Sequence, residues 1–504
     1  MRRFLVAVLA APFLVLPVAA PASAACVGVA SDFNGDGYGD LAVGSPQRYE
    51  PIYAGPWHGA LHVAYGSAAG MGKGSASVTL TGASPGMGDG RLRGSSARLG
   101  ESLASGDFDG DCFADLALSS ASGSSFVILY GGLSGITTSR SVILDRTTIQ
   151  PDGQYGSGLS YDLAAGDFNG DGFDDVAAGA PWTDGNSGAF GVLYGSAFGI
   201  SGAGSQWITQ DSPDVPGGAE PDDLLGWVLA AGDFDGDGKA DLAAGAPGEA
   251  LGGRPDAGGV LVFPGTAAGL ATAGSTWWDQ DSAGVPGEAE GQDNFGYTVA
   301  AGDTDGDRRA ELVVGSPQES IGAESAAGMI NLFRGTAAGL VPGLSFSQDT
   351  ANVPGTAESG DYFGSALAFA DLNRDGRGDL AVGIRGESTG TVGEAGAITL
   401  LYSGASGPSA TGSEYLDQNS AGVPGSNEAS DLFGWSLSRV PNAYGGDALA
   451  VGAPDEDVSF TSEGAVTILP SAAKGTSRSE GHFLSGADFP GGAAKESNFG
   501  HGLP

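Results

Sequence analysis

Residues 233–247 read DFDGDGKADLAAGAP, a nine-residue acidic turn that runs straight into a short apolar stretch and stops at a proline. Acids stand at positions 1, 3, 5 and 9 of the turn and glycines at positions 4 and 6, where they let the chain curl tightly. The pattern returns at 32–46 (DFNGDGYGDLAVGSP), 107–120 (DFDGDCFADLALSS), 167–181 (DFNGDGFDDVAAGAP), 303–317 (DTDGDRRAELVVGSP) and 371–385 (DLNRDGRGDLAVGIR). Six acidic turns, each launching a strand, make a repeat, and a long-period repeat decides the fold.

Two further patterns flank each turn. About seven residues upstream lies an aromatic or leucine followed by glycine: Leu99-Gly100, Tyr155-Gly156, Leu225-Gly226, Phe295-Gly296, Phe363-Gly364, Phe433-Gly434 and Phe499-Gly500. Downstream comes a second apolar strand ending in a turn, as in GALHVAYGS from Gly59, GAFGVLYGS from Gly188, GGVLVFPGT from Gly258, GMINLFRGT from Gly328 and GAITLLYSG from Gly396. Gly100 to Gly500 is 400 residues over six intervals, a mean period of about 67. Each period holds about four short antiparallel strands, the content of one propeller blade. The spacing predicts an all-β, seven-bladed β-propeller over 25–504. The first acidic turn has no Phe-Gly before it and the last Phe-Gly no turn after it, so one blade is expected to be shared between 25–98 and 498–504. Pairing these N- and C-terminal segments would close the ring and leave no sheet edge open.

Composition agrees with many strands and turns. Gly (91) and Pro (26) are abundant, while 41% of the chain is apolar in short, regularly spaced runs. Residues 1–24 read as a secretory signal, with Arg2 and Arg3 ahead of the apolar run from Phe4 to Leu16 and a small-residue cleavage site at Ala22-Ser23-Ala24. No later run is long enough to span a bilayer. A secreted, extracellular or surface-associated, monomeric chain is expected. A net charge of −39 argues against nucleic acid or anionic lipid as partner and in favour of cations.

The turns are suited to calcium, a hard cation that takes six to eight oxygens from closely spaced carboxylates. The predicted ligands are Asp32, Asn34, Asp36, Tyr38 and Asp40; Asp107, Asp109, Asp111, Phe113 and Asp115; Asp167, Asn169, Asp171, Phe173 and Asp175. In the later turns they are Asp233, Asp235, Asp237, Lys239 and Asp241; Asp303, Asp305, Asp307, Arg309 and Glu311; Asp371, Asn373, Asp375, Arg377 and Asp379. The position-7 residues would serve through their backbone carbonyls. A polar hairpin turn uses the same residue types, but six such turns in register concentrate negative charge that only cations relieve. About six Ca²⁺ per chain are expected. An EF-hand is excluded, because it needs an acid at position 12 and flanking helices. Cys112 and Arg308 replace the position-6 glycine and Arg374 the position-4 glycine. The seventh turn (SRVPNAYGGDALAVGAP) has lost the acids at positions 1 and 5 and is expected to be metal-free. Cys26 lies about 18 Å of strand from the loop plane holding Cys112, too far for a disulfide unless the blade ends fray.

This order of Phe-Gly, acidic loop and Gly-Ala-Pro resembles the FG-GAP repeats of the integrin α-subunit propeller and of secreted bacterial propellers, and covers essentially all of 26–504. The resemblance implies calcium on one face of the disc and ligands or partner domains on the other. It implies no integrin signalling, since stalk domains and a membrane span are lacking.

Four periods carry a second acidic stretch, at 210–226, 280–296, 348–364 and 418–434. Long loops on rigid scaffolds tend to carry function, but near-identity between blades favours a structural elbow. Trp207, Trp277 and Tyr415 recur at equivalent places, where edge-strand packing is commoner than sugar stacking. Ser84 and Ser388 match Gly-x-Ser-x-Gly without the strand-to-helix context of a nucleophile. His58 and His62, on a strand, are too far apart for a zinc pair. The expected function is non-catalytic binding of an extracellular protein or glycan. The alternative is a calcium-dependent glycan lyase or hydrolase at the ring centre, kept open by the irregular first two blades (His58, His62, Arg91, Arg93, Arg98).

Overall fold

The computed structural model describes residues 30–46, 59–68, 70–71, 76–87, 92, 98–120, 125–149, 159–442, 445–491 and 497–504. It is a seven-bladed β-propeller whose blades are antiparallel and mostly four-stranded. The fourth blade shows the plan: Leu229–Gly232 innermost, then Asp241–Ala246, Gly259–Phe263 and Thr276–Trp278 at the rim, each paired to the strand before it. The first blade shows three strands among its described residues, Leu41–Ser45, Ala60–Ala64 and Ser77–Thr81. Residues 1–29, the whole predicted signal segment among them, lie outside the described residues. No helix among the described residues is long and apolar enough to cross a membrane.

Two glycine motifs explain how the blades stack. The strand after each acidic turn is buried on both faces, which suits its Ala, Val and Gly content. Its glycine faces the Phe-Gly glycine of the next blade. A Cβ on Gly245 would stand 2.2 Å from Gly296 O, and one on Gly383 would stand 2.3 Å from Gly434 O. Only glycine permits that approach. Seven apolar clusters fill the seven gaps between neighbouring sheets. The last joins Leu41, Val43 and Ala64 of the first blade to Ala450, Val466, Ile468 and Phe499. His62 is 1% exposed within this layer, between the rings of Phe489 and Phe499 at 5.0 and 5.2 Å. Packing accounts for it. His58, Arg91 and Arg93 lie outside the described residues.

The Phe-Gly position of the third blade differs from the sequence expectation. Ser160 adopts φ 74°, the Tyr161 N–H donates to Gly179 O, and the Gly179 N–H donates to Asp162 O. These are the roles of Gly226, Gly245 and Val228 in the fourth blade, give or take one residue in the first bond. Leu159-Ser160 therefore fills the position, and Tyr155-Gly156 lies outside the described residues. The eye follows the glycine, but spacing decides: Ser160 is seven residues before Asp167, as Gly226 is before Asp233.

Phe499-Gly500 is placed as in the other blades. The Phe499 N–H donates to Glu463 O, Gly500 N–H to Gly44 O, and Gly44 N–H to Gly502 O.

Candidate metal centres

Each acidic turn hangs from its first residue. The Asp233 carboxylate accepts the N–H groups of Gly236, Asp237 and Gly238 at 2.7, 3.1 and 2.9 Å, and Asp32, Asp107 and Asp167 do the same in their turns. The position-9 acid braces the base of the turn. Asp241 accepts from Phe234 N–H at 2.9 Å and from Gly265 N–H, across the hairpin, at 2.8 Å; Asp40, Asp115, Asp175 and Asp379 repeat both bonds.

The turns are also chained round the disc. The position-8 N–H of each donates to the position-1 carbonyl of the one before: Ala114 to Asp32, Asp174 to Asp107, Ala240 to Asp167, Ala310 to Asp233, Gly378 to Asp303 and Asp447 to Asp371. Gly39 to Pro441 is the seventh such bond, at 3.1 Å. Position-7 side chains lie over the position-4 glycine of the preceding turn, with Phe113 on Gly35, Phe173 on Gly110, Lys239 on Gly170 and Arg309 on Gly236. Position 7 of the seventh turn is Gly446, and Arg374 fills the vacated space, reaching Ser471 O at 2.7 Å. Cys112, Arg308 and Arg374 all sit at positive φ (69°, 72° and 64°), a strained geometry for residues that replace glycine.

Oxygens converge as a hard cation requires. Carboxylate atoms of Asp107, Asp109 and Asp115 lie within 4.8 Å of one another, as do those of Asp233, Asp235 and Asp241, and of Asp303, Asp305 and Glu311. The turns at Asp32, Asp167 and Asp371 carry Asn34, Asn169 and Asn373 at position 3, so an amide takes the place of the third carboxylate. Asp109 Oδ1 is buried without a hydrogen-bond partner, an orphan that a cation would satisfy. Burial, opposed by the two backbone bonds and reinforced by neighbouring acids, pushes the position-9 carboxyls up: Asp40, Asp175 and Asp379 to about 7, Asp115 to about 8 and Asp241 to about 6. All-oxygen, clustered and reluctant to ionise alone, these turns could coordinate a divalent ion.

Basic side chains temper three turns at position 5, where Lys239 meets Asp237, Arg309 meets Asp307 and Arg377 meets Asp375. In the seventh turn Asp447 is structural: it accepts from Asp371 N–H and pairs with Arg439, both at 2.8 Å. Asp447→Ala should therefore lower the melting temperature equally with and without EDTA, whereas Asp235→Ala should shrink the difference between the two scans. Paired melting curves check this.

Cys112 is disulfide-bonded. The expectation that Cys112 is too far from the other cysteine of the sequence for a disulfide is thereby corrected; Cys26 itself lies outside the described residues.

The opposite ends of the inner strands carry residues that the sequence reading missed. Trp227 follows the Leu225-Gly226 pair and stands 4.6 Å from Tyr161, 5.8 Å from Trp182 and 5.4 Å from Tyr297, ring centre to ring centre. Arg385 Cζ lies 5.0 Å from the ring centre of Trp435 and 4.9 Å from that of Tyr362, and Trp435 meets His501 at 5.4 Å. An aromatic belt thus follows the inner rim from the third blade round to the last described residues. Trp182 and Tyr161 are 39% and 36% exposed. The legible signal was the residue after the Phe-Gly position in four blades, Tyr161, Trp227, Tyr297 and Trp435. Trp207, Trp277 and Tyr415 instead pack against the inter-blade cores, as edge-strand packing predicts.

The FG-GAP repeat model matches residues 27–62, 160–194, 225–263, 295–330 and 363–401. The chain thus carries FG-GAP repeats in a β-propeller fold related to the integrin α amino-terminal domain. It is 33% identical to integrin alpha-7 of Rattus norvegicus over 162 residues, 32% of this chain and 13% of that one. It is 32% identical to integrin alpha-PS2 of Drosophila melanogaster over 225 residues, 43% and 15% of the two chains. Phosphatidylinositol-glycan-specific phospholipase D of Rattus norvegicus is 31% identical over 163 residues, 31% and 18%. The match spans less than a fifth of each of these relatives.

Proposed function

We propose that this protein is a secreted, calcium-loaded adhesion module that binds an extracellular protein or glycan on its Phe-Gly face and catalyses nothing. The observation that carries this reading is the aromatic group formed by exposed Tyr161 and Trp182 with half-buried Trp227, on the face away from the acidic turns. Flat, rigid rings with little rotamer entropy to lose suit recognition of a sugar face or a partner side chain. The six turns take one Ca²⁺ each and hold the disc rigid from the far side. The all-oxygen donor sets favour calcium over softer metals. The bonds of 499–502 to Gly44 and Glu463 support closure of the ring through its two ends.

Non-catalysis rests on the titratable groups. A cavity of about 590 Å³ at the ring centre is walled mainly by Ala, Gly, Leu and Phe. Of its charged groups, Asp303, Asp371 and Arg377 belong to the turns, and Asp447 pairs with Arg439. His501, held down at about 4 by burial and by Arg98, stays neutral, its ring tilted against that of Trp435. A glycan and protein array tests the reading. Binding should be retained by wild type in calcium and lost in Trp182→Ala/Trp227→Ala with its melting temperature unchanged. Turnover of esters, phospholipids or polysaccharides by purified protein would overturn it.

A further inference from the structure

The second acidic stretches build one polar cluster four times over, on the Phe-Gly side of the disc. In the first, Gln210 Nε2 donates to Glu249 Oε2 at 2.9 Å and the Glu220 N–H donates to Asp223 Oδ2 at 2.6 Å. Carboxylate oxygens of Glu220, Asp223 and Glu249 lie within 4.8 Å of one another. The other blades repeat the hydrogen bonds, while the convergence of three carboxylates within 4.8 Å is found in this first cluster. Gln280, Gln348 and Gln418 donate to Glu319, Glu387 and Glu456 at 2.7, 2.7 and 2.5 Å, and Asp293, Asp361 and Asp431 accept the N–H groups of Glu290, Glu358 and Glu428.

A second observation points to a ligand. The side-chain carbonyl oxygens of Gln210, Gln280, Gln348 and Gln418 are all buried without a hydrogen-bond partner. These glutamines are 2%, 2%, 2% and 1% exposed. Each oxygen shares its amide carbon with the nitrogen bonded to the cluster's glutamate, so it lies at the edge of the carboxylate group. A buried orphan acceptor forfeits the hydrogen bond it had in water, and one could pass as an accident. Four in register call for a common partner.

We propose that these clusters are a second class of divalent-cation site, in which Glu249, Asp223, Glu220 and Gln210 Oε1 form the donor set of the first. The donors are hard oxygens with no His or Cys, which selects an ion of the calcium, magnesium or manganese type. A proton shared between Asp223 and Glu249 would relieve the charge yet leave Gln210 Oε1 without a donor. A cation answers both. The bound ion would tie the 210–226 loop to the strand end at Glu249, next to Trp227, and so fix the face that carries the aromatic belt.

Mn²⁺ serves as the probe. Crystals of wild-type protein soaked in Mn²⁺ should show anomalous peaks between each glutamate and its glutamine carbonyl, separate from any peaks in the acidic turns on the other face. Elemental analysis after dialysis should show Glu249→Gln/Glu319→Gln/Glu387→Gln/Glu456→Gln losing four ions per chain relative to wild type. Peaks in the turns but none in these clusters, or an ion count unchanged by the four substitutions, would overturn the proposal. Peaks in the clusters alone would support it and count instead against the turns.

Discussion

Calcium added to EDTA-stripped protein is expected to raise its melting temperature by about 8 °C at pH 8. With calcium at ten times Kd, each site contributes about 1.4 kcal/mol by mass action, and six sites about 8 kcal/mol. A chain of 504 residues has an unfolding entropy of about 1 kcal/mol per degree, which gives the shift. The effect should depend on pH with a definite sign. The position-9 carboxyls of the metal-free protein sit at about 6 to 8, above the ordinary 3.8, because burial disfavours their charge. Between pH 4 and 8 the folded state therefore binds more protons than the unfolded one. The stability of metal-free protein is greatest below pH 4 on this account and falls as pH rises through the folded values. Calcium replaces those protons, so its stabilisation should grow from pH 5 to pH 8. Calorimetry at both pH values, with EDTA or 2 mM calcium as about the extracellular level, checks it. A shift equal at the two pH values, or no shift, would count against the turns as metal sites.

Removal of 498–504 should cost more than any surface change, on the order of 8–10 kcal/mol and comparable to the whole stability of an ordinary domain. Phe499 is fully buried between the first and seventh blades, and loss of such a ring costs about 3–5 kcal/mol. Among the hydrogen bonds that go with it are Phe499 to Glu463, Gly500 to Gly44, Gly44 to Gly502, Ser436 Oγ to Gly500 O and Ser438 Oγ to Pro504 O, each worth about 1 kcal/mol. The truncated chain should be soluble only as open, self-associating species, because unpaired inner strands pair with other copies. The milder Phe499→Ala should stay monomeric and melt earlier. Chromatography and melting curves report both, and a truncated chain that remains monodisperse with unchanged melting would show that these contacts do not close the ring.

The repeat was legible in the sequence because its cause is local. A tight acidic turn demands Asp, Asn and Gly at fixed offsets, and a strand buried on both faces demands small apolar residues, so DFDGDGKADLAAGAP declares turn and strand together. The turn acids follow from that local geometry, whereas the brace that position 9 makes across the hairpin, as Asp241 does with Gly265, does not. The third blade shows the limit of reading letters: Tyr155-Gly156 has the expected composition, while Ser160 has the expected position and accepts a positive φ. Likewise, Arg374 looked only like a defect until the seventh turn's Gly446 supplied the space it fills. Contacts between residues distant in sequence, such as Gly245 with Gly296 O or Gly39 with Pro441, leave little trace beyond the glycines themselves. The sequence by itself thus determined the propeller, the number of blades and the acidic turns, since each is written within one period. Tertiary structure alone decided the aromatic belt, the packing role of His62 and the four orphaned glutamine oxygens. Those depend on which side chains from different blades meet at one end of the disc, and on which buried groups the folded chain leaves without a partner.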